Sequence, residues 1–195
     1  MIWKHIEHET VEDYRQLLNH LVFLGYTINA IIIDGFKGLY KAFKDYPIQL
    51  CQFHQRKTIN KYLTRNPQLD IAIDLQRIMY NSTTTTEVRF INKLDIWHDK
   101  YKDILYEKSI NKDTNTSSLK HPRIVSAYKN LRRNIPYLFT YKKYKEFNIH
   151  NTSNAIDGGD GGVFSPMKKL MNIHNGFSKS LKIKIVDFYP VYYNK

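Results

Sequence analysis

Residues 29–55 read NAIIIDGFKGLYKAFKDYPIQLCQFHQ, and the fold turns on them. Ala30 to Ile33 is a short β-branched run closed by Asp34-Gly35, the pattern of a buried strand that ends in a turn. Asp34 is thereby delivered to the C-terminal edge of a sheet, where ligands and catalytic groups gather in open α/β sheets. A plainer role is also open to it, capping the helix that starts near Phe36.

Outward from this stretch, strands and helices alternate. Ile2 to Ile6 has the pattern of a strand. Val11, Tyr14, Leu17, Leu18, Leu21, Val22 and Leu24 keep helical spacing over residues 10–24, and Gly25-Tyr26 stops that helix. A strand over 28–34, a helix over 36–45, a strand over 48–53 and a helix from about 55 follow. Such an order pairs strands in parallel and places helices on the sheet faces. Past Arg65-Asn66-Pro67 the spacing predicts helices over 70–80, 86–106 and 124–133 without strand alternation, and a polar exposed loop over 111–118. The expected domain plan is therefore an α/β core in 1–65, an all-helical insertion in 66–147, and a return to the core in 148–195. In the last part, Thr152 or Ser153 can cap a helix, Ser165-Pro166 can start another, and the four glycines of DGGDGG favour a loop or break at 157–162.

A formal charge of +12 over 195 residues, with a pI near 9.6, favours a polyanionic partner. No run reaches the length of a membrane span and the N-terminus lacks a signal-peptide core, so nucleic acid is preferred to a membrane. The single cysteine excludes an internal disulfide and fits a reducing compartment, the cytoplasm. No acid occurs between Thr114 and Lys145, where Lys120, Arg123, Lys129, Arg132, Arg133, Lys142, Lys143 and Lys145 alternate with tyrosines and Phe139. Cations among aromatics suit phosphate contacts and stacking on unpaired bases. Cys51 and His54 form a C-x2-H pair, two ligands where zinc needs four, or three with water; a structural role is the better reading, and nothing in the spacing brings His150 or His174 to them. Asp34 with Asp157 or Asp160 forms a pair of distant carboxylates of the kind that holds Mg²⁺ for phosphodiester chemistry.

Several blocks, in order, give the chain a family likeness: YRQLLNHLVFLGYTINAIIIDGFKGL, PIQLCQFHQRKTINKYLTRNPQLD, HPRIVSAYKNLRRNIPYLFTY, and NTSNAIDGG followed by FSPMKKLMNIHNGFSK. Together they resemble the catalytic part of bacterial insertion-sequence transposases of the DDE type, related to the Mutator-like group. The resemblance implies a ribonuclease H-like mixed sheet with flanking helices and a helical insertion. It also implies DNA transposition, with transposon ends and target DNA as partners, a homo-oligomer when full length, a nucleoid-associated location, and Mg²⁺ or Mn²⁺ held by three acids. Asp34 would be the second acid, Asp157 or Asp160 the third, and Cys51 and His54 structural neighbours of the site. Lys129, Arg132, Arg133, Lys168 and Lys169 would contact the DNA backbone.

Two departures from the family pattern bear on activity. No Asp precedes Asp13, which falls in a helix, so the first strands and the first acid are expected to be missing and the chain alone to be inactive. The second DGG with Val163 reads as added sequence, and three extra residues in a continuous helix turn its face by about 300° and advance it by about 4.5 Å. Asp157 keeps its register with Asn154, and Asp160 keeps its own with Ser165 and Lys168. A non-catalytic nucleic-acid-binding protein with the same basic surface is the alternative.

Overall fold

The computed structural model describes residues 8–110, 115–153, 164–173 and 176–193. Helix α1 (Val11–Phe23) precedes strand β1 (Ile31–Ile33), helix α2 (Lys37–Ala42), strand β2 (Ile48–Leu50) and helix α3 (Gln52–Leu63). The two strands pair in parallel, Ile31 opposite Ile48, Ile32 opposite Gln49 and Ile33 opposite Leu50. Parallel strands need a crossover, and the segment carrying α2 supplies it. Both strands are shorter than the apolar runs suggest. After β1 the chain turns at Gly35, whose φ of +113° is open to glycine and strained for other residues. After β2 the Cys51 N–H makes a last bond to the Ile33 carbonyl at 2.7 Å, and α3 then starts at Gln52 rather than near 55.

The helices that follow bury one stripe each. Helix α4 (Asp70–Tyr80) buries Ile71, Ala72, Leu75 and Met79. Helix α5 (Glu87–Leu105) buries Phe90, Leu94, Trp97, Tyr101 and Leu105, and the Thr86 hydroxyl caps it by accepting from the Arg89 N–H. Helix α6 runs from Pro122 to Leu138, past the expected end at 133, because its apolar stripe continues through Leu131, Ile135 and Leu138. Pro122 opens it at a position where a missing N–H is harmless. Short helix α7 (Thr140–Lys143) follows.

Helix α6 lies along α3 and reaches β2, while α4 packs on both α3 and α5. The helices of 66–147 thus share one core with the β1–β2 pair, centred on Leu50, Ile59, Leu75, Leu94 and Leu131, with Phe90 edge-on to Phe139 at 5.3 Å. Truncating a fully buried leucine such as Leu131 to Ala costs roughly 2–5 kcal/mol in such a core. One correction applies to this region. Lys108–Ile110 (β3) and Ser117–Leu119 (β4) pair antiparallel where the sequence suggests no strand and a loop over 111–118. Lys108 to Ile110, Ser117 and Ser118 are all exposed, so no buried face imposes the polar and apolar alternation that betrays a strand.

By contact the chain divides into two units, Asn29–Asn151 and a second made of Met1–Ile28 with Thr152–Lys195. In the second unit the Thr10 hydroxyl accepts from the Asp13 N–H to cap α1. At the other end of α1, Gly25 (φ +86°) donates to Val22 and Tyr26 donates to Leu21, the paired bonds of a Schellman stop. Helices α8 (Phe164–Ile173) and α9 (Lys179–Tyr193) pack on each other, and Ser178 caps α9 through the Leu181 N–H. Helix α8 begins ahead of Ser165-Pro166 rather than at it. The expected strand over Ile2 to Ile6 lies outside the described residues. The architecture is mixed α/β, mainly helical with two small sheets. Among the described residues no helix is long and apolar enough to cross a membrane.

Candidate functional site

Asp34 follows β1 directly, so the strand fixes where its carboxylate starts. One oxygen accepts the Phe36 N–H at 3.2 Å, an Asx turn ahead of α2 and not a cap of it, since Phe36 is the N-cap of α2 and no side chain caps that helix. The residue remains exposed and lines a cleft of about 530 Å³. Helices α3 and α6 make the walls, each through one stripe. Helix α3 contributes Gln55, Thr58 and Tyr62, spaced by three and four residues; α6 contributes Asn130, Arg133, Asn134 and Tyr137, spaced by three, one and three. Lys37 and Tyr40, from α2, complete the rim beside Asp34.

Charge and aromatic surface meet in this cleft. Tyr40 and Tyr137 contact with ring centroids 4.5 Å apart and planes at 57°. Burial pushes the Tyr40 phenol up to about 12, the neighbouring Tyr137 adds to this, the Arg133 guanidinium opposes it, and Asp34 adds a smaller upward push. Arg133 and Lys37 are exposed and make no hydrogen bond or ion pair among the described residues. The floor is polar and mostly satisfied within itself. Gln55 donates from Nε2 to Asn130 Oδ1 at 2.7 Å, and Asn134 donates from Nδ2 to Gln55 Oε1 at 2.8 Å.

The other candidate residues are dispersed. Cys51 is fully buried at the start of α3, and His54 stands one turn along, edge-on to Phe53 at 5.9 Å, with Nδ1 buried and without a hydrogen-bond partner among the described residues. Arg132 points away from the cleft to α5, where it pairs with Asp95 and donates from Nε to the Tyr128 hydroxyl at 3.0 Å. Lys129 is exposed one turn before Arg133 on the adjoining face of α6. Lys168 and Lys169 are exposed on α8, in the other unit. Asp157 and Asp160 lie outside the described residues.

The basic run of 114–145 is less free than it looks in sequence. Lys120 pairs with Glu107, Arg132 with Asp95 and Lys143 with Glu87, while Lys142 donates to the carbonyls of Thr83 and Thr85. The compensating acids come from α5 and its end, far along the chain. Arg123 donates to the Lys61 carbonyl, and Lys129, Arg133 and Lys145 have no side-chain hydrogen bond or ion pair among the described residues.

Sequence reasoning passed over Gln55, Asn130, Asn134 and Tyr40, while Tyr137 falls among the aromatics of the basic run. A signal was present, since Asn130 and Asn134 fall beside the apolar stripe of α6, where a carboxamide needs a partner. No family model matches the chain, and no curated protein or solved structure matches it. Nor do the described residues by themselves fit a Mg²⁺ ion. Asp34 brings one carboxylate to the cleft, two cationic side chains line the same walls, and among the described residues no three His, Cys, Asp or Glu side chains group as metal ligands.

Proposed function

We propose that the chain binds DNA as part of a DDE-type transposase, with a ribonuclease H-like core in which Asp34 occupies the second acid position. One observation carries the reading: an acid at the end of a parallel strand shares a cleft with two cations, Arg133 and Lys37, that have no partner among the described residues. Phosphate is the ligand such a pair suits, because arginine offers a planar fork of donors and lysine a point charge. Asp34 repels the same phosphate, so its place there needs another explanation than binding. In the transposase reading it is one of a set of carboxylates for a divalent cation, the rest supplied from outside the described residues.

What the described residues themselves do is bind and orient. Arg133 and Lys37 hold the sugar-phosphate backbone at the mouth of the cleft, and Asp34 stands at the rim held by the Phe36 N–H. Fluorescence anisotropy with labelled duplex DNA tests the binding. Substituting Arg133→Gln together with Lys37→Gln is expected to weaken binding of any duplex sequence by roughly tenfold, the worth of two phosphate contacts. Unchanged affinity in the folded double variant would remove the cleft from the DNA-binding surface.

A further inference from the structure

The floor of the Asp34 cleft carries an arrangement that duplex backbone binding does not use. Asn130 and Asn134 are each only 9% exposed. Their mutual bonds through Gln55 use Asn130 Oδ1 and Asn134 Nδ2. Asn130 Nδ2 and Asn134 Oδ1 therefore have no partner among the described residues, and both side chains line the cleft. One turn of α6 thus presents an unpaired donor beside an unpaired acceptor at the open surface of the cleft.

The chemistry that answers this floor is itself a donor beside an acceptor on a flat edge. Every nucleobase has such an edge, and carboxamides are its common protein partners. The walls agree with a base. Tyr40, Tyr62 and Tyr137 offer ring surface for stacking, and Arg133 and Lys37 stand at the mouth, where an attached phosphate would lie. The volume, about 530 Å³, falls in the range of pockets that enclose small ligands. A base held in a duplex cannot reach this floor, because its edge is paired and its ring is stacked.

We propose that the cleft receives a single unpaired nucleotide of a DNA strand, its base edge on Asn130 and Asn134, its ring against the tyrosines, and its phosphate on Arg133 and Lys37. The proposal rests on the DNA-binding reading above and narrows it to a local strand conformation. The free mononucleotide shares the same chemistry. The strand is favoured because Lys129, on the adjoining face of α6, adds a cation for the next phosphate.

The test measures binding of the full chain to two labelled duplexes of equal length, one fully paired and one with a single unpaired nucleotide. The duplex with the unpaired nucleotide is expected to bind roughly tenfold tighter, the worth of one base stacked on an aromatic ring. Asn130→Asp keeps the acceptor for Gln55 but removes the free donor, and it should bring that ratio close to one. Tyr137→Leu should do the same by removing ring surface, and it carries the variant test if Asn130→Asp does not fold. A wild-type ratio near one, with both duplexes bound, overturns the pocket and leaves the DNA-binding reading standing. Failure of both duplexes to bind at low salt overturns both. A mononucleotide that competes at the affinity of the strand overturns the strand assignment, and a ratio unchanged in the folded variants overturns the assignment of these side chains.

Discussion

Arg132 and Arg133 are neighbours in sequence with opposite duties, and the difference lies in what each side chain meets. Arg132 reaches Asp95 and the Tyr128 hydroxyl, and its guanidinium lies 5.3 Å from the Tyr128 ring centroid. Arg133 meets only the cleft. In a run with no acids the two look alike, because Asp95 lies far back in the chain and its approach depends on how α5 packs on α6. Arg132→Gln is expected to lower stability by about 0.5–1 kcal/mol, the range for a half-exposed pair, and to leave DNA affinity nearly unchanged. Thermal melting beside anisotropy separates it from Arg133→Gln, for which the reverse is expected. Asp74 gives a second prediction at this scale. The Tyr101 hydroxyl donates to it at 2.8 Å and holds its carboxyl below the ordinary value; partial burial opposes that, and Lys100 at 3.0 Å adds to it. A carboxyl depressed in the folded state stabilises above its unfolded value of about 3.9, and the gain is lost as pH falls through the lower folded value. Tyr101→Phe should therefore destabilise most near neutral pH and progressively less below about pH 4. The matching carboxyl-carbon NMR titration should move upward in the variant, and an unmoved titration would reject Tyr101 as the cause.

At the scale of elements, the join between β2, α3 and the end of α6 is made by glutamines that composition rules place on a surface. The Leu138 carbonyl, at the end of α6, accepts from Gln49 Nε2 at 3.2 Å and Gln52 Nε2 at 2.9 Å. Gln49 Oε1 accepts the Tyr141 N–H at 2.9 Å, and the Thr140 hydroxyl donates to the Ile48 carbonyl at 2.6 Å. Orphan groups of a helix C-terminus are thus satisfied by side chains from a strand and a second helix. Gln49→Leu leaves the Tyr141 N–H unpaired, and a loss of about 1–3 kcal/mol in urea unfolding is expected. Gln52→Leu should cost less, because Gln49 still serves Leu138. Equal losses would show that the carbonyl needs both donors. The elements themselves were legible where an amphipathic stripe marks them, as in α4 and α5. The joins were not, since Gln49, Gln52 and Gln55 show a spacing of three without showing what they face.

For the whole molecule, alternation of apolar runs carried the α/β reading, and the parallel β1–β2 pair agrees with it. The change at 66 from alternating to purely helical pattern marks a change of element type, and α4 and α6 beyond it pack on α3. Charge is the other property that belongs to the whole chain. At a formal +12, the protein attracts any polyanion at long range, while some of its cations, Lys100, Lys120, Arg132 and Lys143 among them, are already paired with acids on the folded surface. Binding then depends on the cations no acid holds, each of which releases counterions from DNA when it contacts a phosphate. Affinity for duplex DNA is expected to fall linearly on a log–log plot against salt, with a slope near −0.9 per phosphate contact, and with little dependence on sequence. Arg133→Gln should make that slope shallower by about one, and Arg132→Gln should leave it unchanged, since a cation held by Asp95 neutralises no phosphate and so releases no counterion from the DNA. Anisotropy titrations between about 50 and 200 mM salt measure the slopes. A flat dependence in the wild-type chain would mean that phosphate neutralisation does not drive binding, whatever the net charge. Equal slopes for the two arginine variants would mean instead that the Asp95 pair opens on DNA and that both side chains reach the backbone.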